Sequence, residues 1–424
     1  MDINEHLFSE KITLEGHIID SLILPRVFDA IMDLGGDFRV EEIQVGTHKR
    51  EPSFARLTVF APTQSQMHSI VSTLQGFGAV LVSEEDVKTA PAPCDGALPD
   101  HFYSTTNLTT QVRLDGHWVE VEGTEMDLAI VVDWNMGTAR TKPIADVKEG
   151  EQVVVGHEGI RVIPLERERK RELFSFMRSS VSSERPNRLA ITKIAQAMRE
   201  VRAQEGKILF VVGPAIIHSG AGSYLAELIH RGFVQVLFGG NAIAVHDVES
   251  VLYGTSLGVD LTDGQPVQGG HSNHMRAINT IRRVGSLEEA VAHELLTRGI
   301  MYECIQHDVE MVLAGSIRDD GPMPGVITDM IEAQERMRQA LQGVELVIMV
   351  ATMLHSIATG NMLPADIRVV VVDINPAVVT KLSDRGSFQA VGLVTDAELF
   401  LRELIEDLRE PRSARNSDTL RQPP

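Results

Sequence analysis

An apolar run from Ile208 to Val212, rich in β-branched residues and broken at Gly213-Pro214, limits the folds open to this chain more than any other feature. A strand buried on both faces has this composition and ends this way, in a loop. Leu225, Leu228 and Ile229 follow at helical spacing, Gly232 marks a helix stop, and Val234 to Phe238 restarts the apolar run. The segment predicts a βαβ unit.

Glycine-rich turns lie near both strands, Gly220-Ala221-Gly222 near the first and Gly239-Gly240-Asn241-Ala242 after the second. Glycine lets backbone N–H groups come close to a ligand, and the helix N-terminus that follows favours an anion, so a nucleotide cofactor is expected. The dinucleotide fingerprint is incomplete, however. Leu225 occupies the place of its third glycine, and no acidic residue closes the second strand.

From Pro186 onward the alternation continues, with strands expected at 208–212, 234–238, 309–314, 344–350, 368–373 and 390–394. Ser286 to Glu289 forms a capping box, with Gly299 read as the helix stop; Asn375 and Pro376 supply an N-cap and first-turn proline for a helix ending at Gly386. Residues 186–408 therefore predict an α/β domain with a mostly parallel sheet wrapped by helices, followed by a polar, aperiodic tail over 409–424 expected to be disordered.

Residues 1–92 read as βαββαβ, with strands at Lys11–Ile19, Phe38–Val45, Phe54–Phe60 and Ala79–Val82 and helices around Val27–Leu34 and Met67–Leu74. That order predicts a ferredoxin-like or ACT-like α+β module, serving either dimerisation and amino-acid sensing or structure alone. Beyond the linker Pro91-Ala92-Pro93, residues 93–185 suggest a small β-rich domain, with apolar runs at Trp118–Val121, Leu128–Val132 and Gln152–Val155. Phe102 to Asn107 either presents hydroxyls to a substrate or forms a turn-rich strand pair, and Glu166 to Glu172 reads as a solvated helix face.

Charge and cysteine usage narrow the partners. A net charge of −20 argues against nucleic acid or an anionic membrane. It suits a cationic small molecule, although solubility alone also explains it. No uninterrupted apolar run is long enough for a transmembrane helix, and the acidic N-terminus lacks the features of a signal peptide, so a cytoplasmic location is expected. Cys94 and Cys304, far apart in sequence, read as reduced thiols.

In open α/β sheets ligands bind beyond the carboxyl ends of the strands. The loops after the later strands, Gly315 to Asp320, Ala351 to Ser356 and Asp373 to Pro376, are thus the candidates. Asp373, closing a valine-rich strand, is placed either to accept ribose hydroxyls or to cap the next helix. Asn375 already supplies a cap.

Five motifs carry a family resemblance: GGNAIAVHDVESVLYGTSLGVDL, GGHSNHMRAIN, AGSIRDDGPMPGVITD, ATMLHSIATGNMLP and VVVDINPAVVTKLSDRGS. In this order they resemble the archaeal-type ornithine cyclodeaminases, the family of the conserved region of lysine-oxoglutarate reductase/saccharopine dehydrogenase proteins and of the C-terminal part of cyanobacterial arginine dihydrolases. The resemblance covers nearly the whole chain. It implies NAD bound in a deoxyhypusine-synthase-like fold, with contacts at Asn241, Ala242, Asp320, Thr352, Met353, Leu354, His355, Asp373, Asp396 and Ala397. Asp396 has an N-cap as its alternative role.

The implied reaction turns L-ornithine into L-proline and ammonia. Hydride leaves Cα, the δ-amine attacks the resulting imine, ammonia departs, and the hydride returns to the cyclic imine, so a redox cofactor serves a lyase. Such a site needs a cation for the carboxylate, an acid for the δ-ammonium and a base near the amines. Arg276 and Arg318 are the carboxylate candidates; Asp247, Glu249 and Asp319 are those for the ammonium. His218, His246, His271, His274 and His355 are candidates for moving protons, each with a structural role as the alternative. Asp247, His274, Arg276 and Arg318 form the expected catalytic set. His271 and His274 lack a third ligand of matching spacing, so no metal is expected.

Other outcomes remain open. A saccharopine- or lysine-type NAD-dependent dehydrogenase shares this chemistry, and a non-catalytic NAD-binding regulator shares the fold. A deoxyhypusine-synthase-like transferase would need a buried lysine, and none follows Lys207 until Lys381. The chain is expected to form a homo-oligomer.

Overall fold

The computed structural model describes residues 8–19, 22–46, 48, 51–82, 85–163, 185–319, 321–384 and 390–409. Asp320, the Glu166–Glu172 run, the helix end expected at Gly386 and the tail beyond Arg409 lie outside the described residues. The chain divides into two compact units, 1–172 with 361–366, and 173–360 with 367–424. Among the described residues no helix is long and apolar enough to cross a membrane.

The first unit begins with β1 (Phe8–Gly16), α1 (Ile23–Asp33), β2 (Asp37–Gln44), β3 (Ser53–Ala61), α2 (Gln64–Gly76) and β4 (Val80–Leu81). These strands form an antiparallel sheet in the order β2-β3-β1-β4. Alternation in β1 and β3 buries Ile12, Leu14, Leu57 and Val59 against Val27 and Ile31 of α1 and Ile70 and Leu74 of α2. Thr63 caps α2 by accepting from Gln66 N.

A seven-stranded sheet follows, made of β5 (Lys88–Pro91), β6 (Thr110–Leu114), β7 (His117–Glu122), β8 (Ala129–Asp133), β9 (Thr138–Lys142), β10 (Gln152–Val155) and β11 (Ile160–Val162). Its order is β11-β6-β7-β9-β8-β10-β5, antiparallel except between β7 and β9. Phe102 to Asn107 forms no strand of its own. Phe102 and Ser104 bridge to Val155 and Ala129, and the buried Thr105 hydroxyl bonds to Glu125 O and Leu128 N.

The second unit is the α/β domain. In chain order it comprises α3 (Arg185–Ala203), β12 (Lys207–Val212), α4 (Ala215–His218), α5 (Gly222–His230), β13 (Val236–Gly240), α6 (Asn241–Tyr253), the hairpin β14 (Thr255–Ser256) and β15 (Val259–Asp260), and α7 (Asn273–Val284). There follow α8 (Leu287–Ala292), α9 (Ile300–Gln306), β16 (Glu310–Ala314), α10 (Met330–Ala340), β17 (Val344–Val350), α11 (Leu354–Met362), β18 (Arg368–Asp373), α12 (Pro376–Asp384), β19 (Ala390–Val394) and α13 (Ala397–Arg409).

All six long strands are parallel, in the order β16-β13-β12-β17-β18-β19. Counted along the chain this is 3-2-1-4-5-6, a doubly wound sheet whose direction of winding reverses between β12 and β17. Ile208 to Val212 are buried to the last atom because helices cover both faces of β12.

Three local expectations change. Gly299, at φ 102°, is the N-cap of α9 rather than the stop of α8, which ends at His293. The second strand runs to Gly240, because Gly239 and Gly240 still pair with Leu313 and Ala314. Gly220 and Gly222 do not sit at the end of β12; the four-residue α4 separates them from it.

Candidate functional site

The winding reverses at the carboxyl ends of β12 and β17, the place where doubly wound sheets bind ligands, and the backbone there is tight. Gly213, just past β12, donates its N–H to Val350 O, and a Cβ placed on it would stand 2.0 Å from Ala351 O. Ala351 itself sits in the left-handed region at φ 54°, a conformation costing a non-glycine residue about 1–3 kcal/mol. Strain and close approach meet where a doubly wound sheet binds its ligand.

One strand further, α6 starts directly from β13. Its N-cap, Gly240, supplies no side-chain hydrogen bond, and its first turn contains no acid. The leading N–H groups therefore offer an anion seat. A Cβ on Gly240 would approach the His355 ring to 3.0 Å, so glycine lets β13 and the loop after β17 share the same rim. Asn241 joins that rim through its backbone, since its buried side-chain oxygen accepts from Met323 N at 3.0 Å. Ala242 follows it in the first turn.

Thr352 to His355 run from the end of β17 into α11. The Thr352 hydroxyl lies 3.5 Å from His355 Nδ1, and burial holds the His355 pKa below the ordinary histidine value, against a smaller opposing pull from Asp319. Met353 and Leu354 are exposed at 48% and 70%; Ile317 after β16 and Ile374 after β18 are more exposed still. Met353, Leu354 and Ile374 thus follow two neighbouring strands, β17 and β18, whereas Ile317 follows the edge strand β16.

At the end of β18, Asp373 accepts from Asn375 N through Oδ1, and Asn375 in turn caps α12 by accepting from Ala377 N. Asp373 Oδ2 has no partner among the described residues. Asp396 spends Oδ1 on Glu398 N and Leu399 N, the N-cap of its two alternative roles, with Ala397 buried behind it. Asp373 ends β18 and Asn241 directly follows β13, strands three positions apart, about 14 Å at the usual strand spacing.

A second group of polar side chains sits along α6. His246, 7% exposed, and Glu249, fully buried, are three residues apart on one helix face, and Nδ1 of His246 donates to Glu249 Oε2 at 2.9 Å. Glu249 also accepts from Thr255 Oγ1, Gly258 N and Leu257 N, all on or beside the β14–β15 hairpin. Burial pushes its pKa up, but bonds from His246, Gly258 and Thr255 outweigh burial and hold the carboxyl below its ordinary value. The other ring nitrogen of His246, Nε2, has no partner among the described residues.

His218, at the end of α4, stands edge-on to His246 with ring centroids 4.9 Å apart and Nδ1 2.6 Å from Ser256 Oγ. Lost hydration, then the neighbouring His246, lower its pKa, with Glu249 opposing. The network continues outward, from Thr255 to Asn273 Nδ2 at 3.0 Å and from Asn273 Oδ1 to Arg276 at 3.4 Å. His246 lies five positions after Asn241 in α6, about 7.5 Å along its axis. One helix thus carries both the exposed leading N–H groups and the buried His246–Glu249 pair.

Among the expected catalytic residues, Arg276 joins this network and His274 lies half-buried in the first turn of α7. Arg318 is exposed on the loop after β16, its guanidinium without a partner among the described residues. Asp319 bonds within its own loop, to Ser316.

Asp247 must be reassigned. It is 2% exposed, and its two oxygens accept from Ile300 N and Met301 N at 2.9 and 2.8 Å, capping α9 from a different helix, so it does not face a substrate ammonium. Burial raises its pKa to about 6 despite those bonds. Asp247→Ala is expected to cost about 0.5–2 kcal/mol of stability, the usual loss for a cap. With the folded pKa above the unfolded one, the native state takes up the proton first as pH falls, so the gap to the variant should widen from pH 7 to pH 5. Denaturant titrations at the two pH values check this; a gap that narrows contradicts it.

The geometry agrees with what the chain matches. The family model for the arginine dihydrolase ArgZ-like C-terminal Rossmann fold covers residues 192–404, that for the ArgZ-like C-terminal first region 109–191, and that for the LOR/SDH bifunctional enzyme conserved region 9–108. Ornithine cyclodeaminase of Methanocaldococcus jannaschii is 53% identical over 410 residues, which are 95% of this chain and 97% of that protein. The apo crystal structure of ArgZ, an arginine dihydrolase of the ornithine-ammonia cycle in Cyanobacteria, superposes with a TM-score of 0.84 at 40% identity, over 95% of this chain and 58% of that one. AgrE, solved as a ternary complex with ornithine and NAD+, matches at 45% identity and a TM-score of 0.52, over 96% of this chain and 58% of its own. The chain therefore belongs to the archaeal-type ornithine cyclodeaminase family, which shares its sequence with the C-terminal region of the ArgZ-like arginine dihydrolases.

Proposed function

We propose that the protein is an NAD-dependent ornithine cyclodeaminase, an ammonia-lyase converting L-ornithine to L-proline. The observation that carries this reading is α6 itself, whose N-terminus, without a side-chain cap, opens one strand from the winding reversal while the buried His246–Glu249 pair lies further along the same helix. The residues present fit the cofactor. In this reading the N–H groups of Asn241 and Ala242 receive the pyrophosphate, Asp373 Oδ2 accepts from a ribose, and Thr352 to His355 line the crevice between them. The acid stands at the fifth strand counted along the chain rather than the second, so the dinucleotide would cross the reversal towards β18.

When bound, NAD supplies the oxidation of the substrate Cα and its later reversal. The chain's own residues handle protons, charge and water. His246 would accept a proton at Nε2 from a substrate amine, and Glu249, whose oxygens are already engaged, serves as the positioning residue that fixes the tautomer. Arg276 and Arg318 are the cations available to the substrate carboxylate. Ile317, Met353, Leu354 and Ile374 would pack over the bound molecules and keep water from an imine that hydrolyses readily.

A cytoplasmic homo-oligomer is part of the same proposal. The oligomer alone is supported here, by the edge strand β2 and the residue after it, which expose Val40, Ile43 and Val45. Calorimetric titration of the purified protein with NAD is expected to give one site per chain. Folded protein that takes up no NAD would overturn the cofactor assignment.

A further inference from the structure

The C-terminal ends of α5 and α9 meet on the surface of the second unit. His230 is the last residue of α5, Glu303 lies in α9, and His307 caps α9 one turn later. His230 Nδ1 and His307 Nε2 each stand 3.2 Å from Glu303 Oε2, and the two nitrogens are 3.2 Å from each other. The rings are perpendicular, 5.0 Å apart.

A chain of hydrogen bonds would need only two of those three separations to be short. Two N–H groups sharing one acceptor oxygen would also have to face each other at the third. An equilateral triangle of two imidazole nitrogens and a carboxylate oxygen is instead one face of a tetrahedron around a metal: with bonds of about 2.0–2.1 Å, tetrahedral ligand atoms lie about 3.3 Å apart. We propose that His230, Glu303 and His307 bind a zinc ion, with water in the fourth position.

The donor set supports zinc, since two imidazoles with one carboxylate suit late first-row divalent ions and not calcium or magnesium. Placement supports a cation as well. Both helices present their C-terminal ends here, where the backbone carries partial negative charge. The side chains are 66%, 19% and 36% exposed, so an ion can load from solvent onto the folded protein and keep an open coordination position. Bound there, it would tie the last turn of α5 to α9, the helix whose other end Asp247 caps. None of these residues belongs to the NAD or substrate site, so the proposal is independent of the function above.

Chelator-treated protein, titrated with zinc by calorimetry, should bind one ion per chain with a rise in Tm. Cobalt(II), used as a spectroscopic probe, should give the intense visible bands of a tetrahedral site. Both signals should be lost in His230→Ala and in His307→Ala, while Tm in chelator stays at the wild-type value. Failure of the wild-type protein to bind zinc, a weak octahedral cobalt spectrum, or unchanged binding in either variant would overturn the site.

Discussion

Replacing His246 by alanine should lower ornithine turnover by about 10²–10⁴-fold, the usual contribution of a positioned general base, with NAD titration unchanged. The two readouts separate because the anion seat at Asn241 and Ala242 is backbone, made by the start of α6, whereas the basic nitrogen comes from one side chain further along. His246 is buried but contributes one principal hydrogen bond, to Glu249, so its removal should leave the helix in place. Glu249 is a harsher target. It holds the hairpin through Thr255, Leu257 and Gly258, and its loss would couple activity to folding. His218 gives a second handle, since lost hydration and the neighbouring His246 hold its pKa below the ordinary histidine value. Loss of NAD binding together with activity in His246→Ala would mean the histidine supports the fold and not the chemistry.

Asp373→Ala should weaken NAD binding by about 1–3 kcal/mol, roughly 5- to 150-fold in Kd, because it removes a charged acceptor whose second oxygen has no protein partner among the described residues. Within the protein the substitution also removes the bond from Asn375 N to Asp373 Oδ1. Asn375 keeps α12 capped through Ala377 N, and Asp373 gives the sheet nothing but its backbone, which pairs with Val394. At saturating NAD, turnover should therefore recover towards the wild-type value. An unchanged Kd in the folded variant would take Asp373 out of the cofactor site.

The parallel sheet was legible because its strands are buried on both faces and so stand out as uninterrupted apolar runs. Leu346 to Val350 and Val369 to Val372 need no partner to be recognised as strands. Ends were harder: Gly239 and Gly240 look like a turn in sequence yet remain paired, since glycine is wanted there for close approach and not for a bend. Gly299 reads as a stop because glycine is far more common just after a helix than just before one, and here it takes the rarer place. Asp247 was misread for a reason no local pattern could repair. Its partners, Ile300 and Met301, lie more than fifty residues away and become neighbours only when α6 packs against α9. His246 and Glu249 carried the opposite kind of signal. Their spacing of three on a helix was visible, but their burial, which raises them above the other histidine candidates, emerges only when the hairpin folds over them.

The most direct test of the account is to incubate the purified protein with NAD and ornithine deuterated at Cα, in ordinary water and without added reductant. Transient oxidation with return to the same carbon predicts proline that keeps its deuterium, one equivalent of ammonia, and no accumulation of NADH. Persistent NADH without proline would make the protein a dehydrogenase, and binding without turnover a sensor; either result would contradict a cofactor that lends and recovers its hydride at the rim of this sheet.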